Sequence, residues 1–337
     1  MAFDLTRDPS EQAVSDLFNQ FFERECPPAT VRGSEPLGFD AGLWEQIRPL
    51  GAPGAGVAET LGGGGASMLE MSILAECAGR TLAPIPIVDH VVAARACPEP
   101  DLVDGSLVAT LALRPASDGI WQLVPAGAIA GVVLGLDGDE FVAVRSAPPG
   151  SGPRNHADAP LADRAVTGDR TVVGDRSTFS RCLDEWKLLQ AAQLVGLATR
   201  ALELVIEYVT EREQFGRAVG GFQAVQHGLA ECVAPIEGAR LLATKAAWAF
   251  DEGVEGLDVA HGDVEDPAVL ATMAFAFATE VAALVTKRAV QYHGSYGVSV
   301  EYDIQLYYRR ARGWPLALGN PGNQHDELAD LLWPVGS

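Results

Sequence analysis

The sequence predicts an α+β fold in three parts: a helical N-terminal domain (1–99), a small middle β domain (100–176) and a C-terminal four-helix bundle (177–337). Three observations predict it. Apolar residues recur at helical spacing through the first hundred positions. Between about 100 and 176 the chain breaks into short β-branched runs separated by Gly, Asp and Pro. From Phe179 onward long segments are apolar around most of their circumference, as in helices buried on several sides.

Each element follows from local chemistry. SEQAVSDLFNQFFERE reads as a helix behind a Ser10 cap. FDAGLWEQIRPLG and ASMLEMSILAECAGRTLAP repeat the pattern, the second ending on a cationic last turn at Arg80 and a stop at Pro84. AETLGGGGAS lies between them. LVATLALRP, IWQLVP, GVVLGL, EFVAVRS and RTVVGD read as strands, with APPGSGPRNHADAP as a loop. LDEWKLLQAAQLVGLATRALELVIEYVTERE, GFQAVQHGLAECVAPIEGARLLATKAAWAFDEG and DPAVLATMAFAFATEVAALVTKRAVQYHG predict three long helices, the last starting at Asp266-Pro267. Shorter helices follow at about 300–312 and 324–332.

Composition narrows the function. Hydrophobic residues make up 48% of the 337 and charged residues 20%, a globular balance. The net charge of −21 argues against nucleic acid or an anionic membrane surface as partner, because polyanions need a basic footprint. It leaves room for a small anion held by local arginines and backbone amides. Cys26, Cys77, Cys97, Cys182 and Cys232 are scattered, without a CxxC pair, which fits reduced thiols in the cytoplasm. The N-terminus lacks the apolar core of a signal peptide, and no charge-free run of about 18 apolar residues predicts a membrane span.

Several motifs carry little. GGGG at Gly62–Gly65 matches neither a P-loop nor a dinucleotide fingerprint and reads as a turn between helices. The histidines show no metal spacing, and His227 and His293 read as structural. No GxSxG elbow supports a serine nucleophile. EREQFGRAVGGFQAVQHGLAE is different. Arg212, Gln214 and Phe215 end one long helix, Gly216, Gly220 and Gly221 form a turn, and Gln223 opens the next helix. A helix start offers free amides and a positive dipole end, and the arginine adds a fixed cation. That set suits a pyrophosphate; it also suits an ordinary helical hairpin.

REQFGR…GGFQAVQHGLAE resembles the central signature of the acyl-CoA dehydrogenases, RxQFGxxixxFQxvqhxlAd. LWEQIRPLGAPGAGVAETLGGGGASMLEMSILAECAGRTLAPIP is similar to that family's N-terminal helical domain, and QYHGSYGVSVEYDIQLYYRRAR to its later QxxGGxGxxxExxlxRxxRdar segment. The resemblance spans about residues 40–95 and 178–312. It implies an acyl-CoA dehydrogenase-like fold, FAD as cofactor, and α,β-desaturation of an acyl-CoA thioester. It further implies that Arg212, Gln214, Phe215 and Gln223, with Gln291, His293 and Gly294, contact the adenosine pyrophosphate of FAD across a subunit interface.

The departures matter equally. Where the family carries its catalytic glutamate in a YEGT-like segment, this chain reads GWPLALGNPGNQHDEL, with Gly319 to Gly322 at that place and Glu327 several residues later. Some members carry the base on the long helix, about 26 residues before the arginine; counting back from Arg212 reaches Trp186. Glu185 is adjacent, but one residue turns a side chain by about 100°. The TExxxGSD-like and WIT-like segments of the flavin-ring pocket are missing. No catalytic residue and no metal ligand is therefore assigned. The pattern resembles the shorter companion subunit of α2β2 bacterial acyl-CoA dehydrogenases of steroid side-chain degradation. The implied partner is a longer paralogue bearing the base. The alternatives are a homo-oligomeric dehydrogenase with a relocated base at Glu185 or Glu327, a flavin-free scaffold, or a relative that hydrates or oxygenates its substrate.

Overall fold

The computed structural model describes residues 8–253, 257–258 and 263–333. Helix α1 (Pro9–Glu25) is capped by Asp8, not Ser10. The Asp8 carboxylate accepts from Glu11 N–H at 2.8 Å, and the Glu11 carboxylate accepts from Asp8 N–H at 2.9 Å. Pro9 at the first helical position loses nothing, because its missing N–H would be unpaired there anyway. Helices α2 (Pro28–Gly33), α3 (Ala41–Ile47) and α4 (Met68–Thr81) follow, α4 opening on a reciprocal Ser67–Glu70 capping box. Two further helices, α5 (Ile87–Ala96) and α6 (Pro100–Val103), complete this part; like α2, they were not marked individually in the sequence.

The middle strands are β1 (Ala109–Leu111), β2 (Ile120–Val124), β3 (Val132–Asp137), β4 (Glu140–Arg145), β5 (Ala162–Ala165) and β6 (Asp169–Asp175). The main sheet runs β1-β3-β4-β6, parallel at β1–β3 and antiparallel elsewhere, and β2 pairs with β5, a strand the sequence did not announce. Alternation sorts the side chains. Leu134, Leu136, Phe141 and Ala143 join the main core with the helices, while Val133, Val142 and Val144 pack with Trp121 and Val124 in a second core. Buried Arg164 fastens the loops by donating to the carbonyls of Gly127, Ala130 and Ser146.

The C-terminal domain is helical: α7 (Arg176–Glu211), α8 (Gln223–Glu252), α9 (Pro267–His293), α10 (Ile304–Gly313) and α11 (Asn323–Leu332). As the dipeptide Asp266-Pro267 predicts, Asp266 caps α9. Helix α7 is central, packing on α4, α8 and α9. Gly79 of α4 and Gly196 of α7 let these helices cross closely; a Cβ on either would strike the opposing backbone carbonyl of Gln193 or Glu76. Helix α7 and the helical run Pro267–Val298 are long and apolar enough to cross a membrane, yet 72% and 67% of their most apolar windows lie inside the protein. Their apolar surface is spent on the bundle.

Candidate cofactor half-site

Helix α7 ends at Arg212, whose carbonyl accepts from Val219 N–H at 2.7 Å and closes the following hairpin. That hairpin pairs β7 (Glu213–Gln214) with β8 (Arg217–Ala218). Its two-residue tip, Phe215 and Gly216, has φ of 54° and 79°. Glycine takes this left-handed backbone freely and a phenylalanine does not. The cost places Phe215 at the apex, 96% exposed. Helix α8 then starts at Gln223 behind Phe222, which makes no side-chain cap. The Arg217 guanidinium lies 3.8 Å from the Phe222 ring centre.

A second strand of the site comes from the end of α9. Gln291 and Gly294 are exposed there, and Gly294 (φ 64°) turns the chain into a short 3-10 segment, Gly294–Val298. The Tyr292 hydroxyl donates to the Ala224 carbonyl at 3.4 Å, joining α9 to the first turn of α8. Arg212 sits with its guanidinium 5.5 Å from the Tyr296 ring centre. The fold thus brings the two segments together, with Arg212, Gln214, Phe215, Gln223, Gln291 and Gly294 all exposed. His293 is placed differently. It is buried, stacked on Tyr208 at 4.1 Å, with Nδ1 2.7 Å from the Ala289 carbonyl. A carbonyl only accepts, so Nδ1 carries the proton, and burial lowers the ring's pKa. His293 is structural, while His227 is exposed on α8.

The residues suit the tail of FAD. Among the described residues no carboxylate pairs with Arg212, and the start of α8 carries no side-chain cap, so cation and amides remain available to a phosphate. The turn at Gly62–Gly65 does not compete, because its amides are used internally: Gly63, Gly64 and Gly65 N–H donate to the carbonyls of Ala58, Gly54 and Val57.

Neither carboxylate that the sequence offered as a base, Glu185 or Glu327, stands in the cavity beside Trp186. At the position reached by counting back along α7, Trp186 is buried and its Nε1–H donates to Asp89 Oδ1 at 2.8 Å. Both line a cavity of about 80 Å³ with Ile85, Gln190, Arg310 and Trp314. Asp89 went unnoticed in the sequence, where IVDHVVAARA gives no sign that its carboxyl is buried; burial pushes its pKa up to about 6. Glu185 faces a different groove and lies 3.3 Å from Arg95 and 3.4 Å from Arg181. Glu327 pairs with buried Lys187 at 2.6 Å, and Lys187 also donates to Asp184 and Thr272. Both candidate bases are therefore bound to cations and point away from the Trp186 cavity or stand outside it.

Comparison with known proteins accords with this architecture. The profile of the acyl-CoA dehydrogenase N-terminal domain matches residues 8–98, and that of the C-terminal domain matches residues 177–330. The chain belongs to the acyl-CoA dehydrogenase family. Among its relatives, acyl-CoA dehydrogenase IpdE2 of Mycolicibacterium smegmatis is 29% identical over 330 residues, covering 90% of this chain and 92% of that protein. FadE27 of Mycobacterium tuberculosis is 29% identical over 372 residues, covering 95% and 96%. The ChsE4–ChsE5 complex of M. tuberculosis shares the fold with a TM-score of 0.85 at 24% identity, over 99% of this chain and 100% of that one. A steroid ACAD, Tcur3481–Tcur3483, matches at 0.83 and 26% identity, over 96% and 97%. FAD complexes are among the structures with this fold.

Proposed function

We propose that this chain is the shorter subunit of a heteromeric acyl-CoA dehydrogenase acting on a steroid side-chain CoA ester. It completes the FAD site of a longer paralogue and abstracts no proton itself. FAD, when bound, supplies the hydride acceptor for α,β-desaturation of the thioester. In this reading Arg212 donates to the pyrophosphate, Gln223 and the first amides of α8 add hydrogen bonds, and Phe215 packs on the partner. Gln214, Gln291 and Gly294 line the adjoining surface, and His293 supports them from beneath. The single observation that carries the reading is the exposed Arg212, without a carboxylate partner among the described residues, at the root of the hairpin that leads into an uncapped helix start, in a chain whose own cavity holds Trp186 at the place where the resemblance puts the base of some family members. The steroid class is supported by the steroid ACAD among the structural matches and the pairing by the two-chain complexes. A cytoplasmic setting fits five free, buried cysteines.

The test is co-expression with a longer acyl-CoA dehydrogenase encoded beside it. Arg212→Ala lowers the flavin content of the purified complex if the reading holds; unchanged flavin removes Arg212 from the site. A homo-oligomer using Glu185 or Glu327 is disfavoured by the ion pairs that hold both carboxylates.

A further inference from the structure

Arg212 is long, exposed and, among the described residues, free of carboxylate partners, so something else must hold its direction if it is to meet a phosphate without a large ordering cost. The available contact is the face of Tyr296 at 5.5 Å. Tyr296 does not stand alone. Its ring lies 5.1 Å from Tyr302, tilted by 34°. Tyr302 sets its edge against both Tyr208 (6.1 Å, 86°) and His293 (6.2 Å, 77°). Tyr208 stacks flat on His293, and its hydroxyl donates to the His293 carbonyl at 3.3 Å. A ladder of four rings thus runs from the buried end of α9 to the exposed guanidinium.

We propose that Tyr296 is a positioning residue that orients Arg212 for an incoming diphosphate. The choice of an aromatic ring has a chemical reason. A carboxylate would fix the arginine by occupying the N–H donors that the phosphate needs. A ring face attracts the cation through its quadrupole and leaves the N–H edges free. The inference rests on the proposed role of Arg212 and adds a residue to it that the motif comparison did not supply. A cation–π contact at an exposed site contributes a two- to fivefold effect on an equilibrium, following from about 0.5–1 kcal/mol.

The experiment uses the co-expressed complex, stripped of flavin and titrated with FAD by fluorescence quenching. Tyr296→Phe keeps the ring and is expected within twofold of the wild type. Tyr296→Leu weakens FAD binding two- to fivefold, and does so only when Arg212 is present, so that the Arg212→Ala/Tyr296→Leu double variant binds as Arg212→Ala alone. Size-exclusion chromatography of each variant checks that the complex is intact; if Leu disrupts assembly, Tyr296→His, which keeps a flat ring of smaller face, takes its place, with a loss expected between those of the Phe and Leu variants and again only when Arg212 is present. Equal binding by the Leu variant, or equal weakening on both backgrounds, overturns the positioning role while leaving Arg212 in the site. Failure of Arg212→Ala itself to weaken binding overturns the underlying assignment instead.

Discussion

Asp89 and His90 are neighbours on α5, and burial drives their titrations in opposite directions. Desolvation pushes the Asp89 carboxyl up to about 6 from an ordinary 3.8, against the opposing hydrogen bond from Trp186. The same effect pulls the His90 imidazole down to about 4 from 6.5. Nε2–H donates to the Leu102 carbonyl at 2.9 Å, and Nδ1 accepts from Ala109 N–H at 2.9 Å, so a second proton would displace that bond. For His90 the unfolded chain takes its proton first. Its stabilisation is complete above pH 6.5 and is lost towards pH 4, by about 3 kcal/mol. For Asp89 the folded chain takes its proton first, so stability rises by about 3 kcal/mol as pH falls from about 6 to 3.8. In the wild type the two trends largely cancel. Asp89→Asn leaves the His90 trend exposed, and His90→Gln leaves the Asp89 trend. Urea unfolding of both variants at pH 6.5 and 4.5 should show their stabilities diverging by roughly 4 kcal/mol, with His90→Gln gaining. Other titrating groups, Asp184 among them, are common to both variants and drop out. Parallel curves for the two variants would refute the reasoning.

Other consequences are as specific. Gly196→Val forces a side chain into the Glu76 carbonyl at the α4–α7 crossing and should cost about 3 kcal/mol, read as a lowered urea midpoint. Lys187→Met leaves Asp184 and Glu327 without their buried cation and should cost about 3–5 kcal/mol; adding Asp184→Asn and Glu327→Gln should recover much of it in the same assay. Phe215→Ser should leave the stability of the isolated chain within about 0.5 kcal/mol, because the side chain is 96% exposed. In the heteromer it should raise the dissociation constant about tenfold, as expected for a buried aromatic anchor, measured by sedimentation or interferometry.

The order of helical, β and helical parts was legible because long segments of helical period give way to short β-branched runs broken by Gly, Asp and Pro, and then return. The misplaced cap of α1 came from a local ambiguity: Asp8 and Ser10 both suit an N-cap, and the reciprocal bond to Glu11 selects Asp8. Strand β5 was missed because ADRA lacks β-branched residues; it pairs through Arg164, which is buried only once its guanidinium meets the loop carbonyls. The rotation argument that set Glu185 apart from Trp186 needed only helix geometry, and the two do face different spaces. Asp89, Arg310 and the ring ladder behind Arg212 were not legible. They join residues from distant segments, and nothing in a local window records such a meeting. Whether EREQFG would be buried or exposed was equally beyond the pattern, since its polar and aromatic residues suit either.

The most direct test of the account is the number of flavins bound per chain. The complex of this chain with its longer paralogue, purified under native conditions, should carry one FAD for each pair of chains, while this chain expressed alone should carry none. One FAD per chain in a homo-oligomer of this protein, reduced on addition of an acyl-CoA, would contradict it.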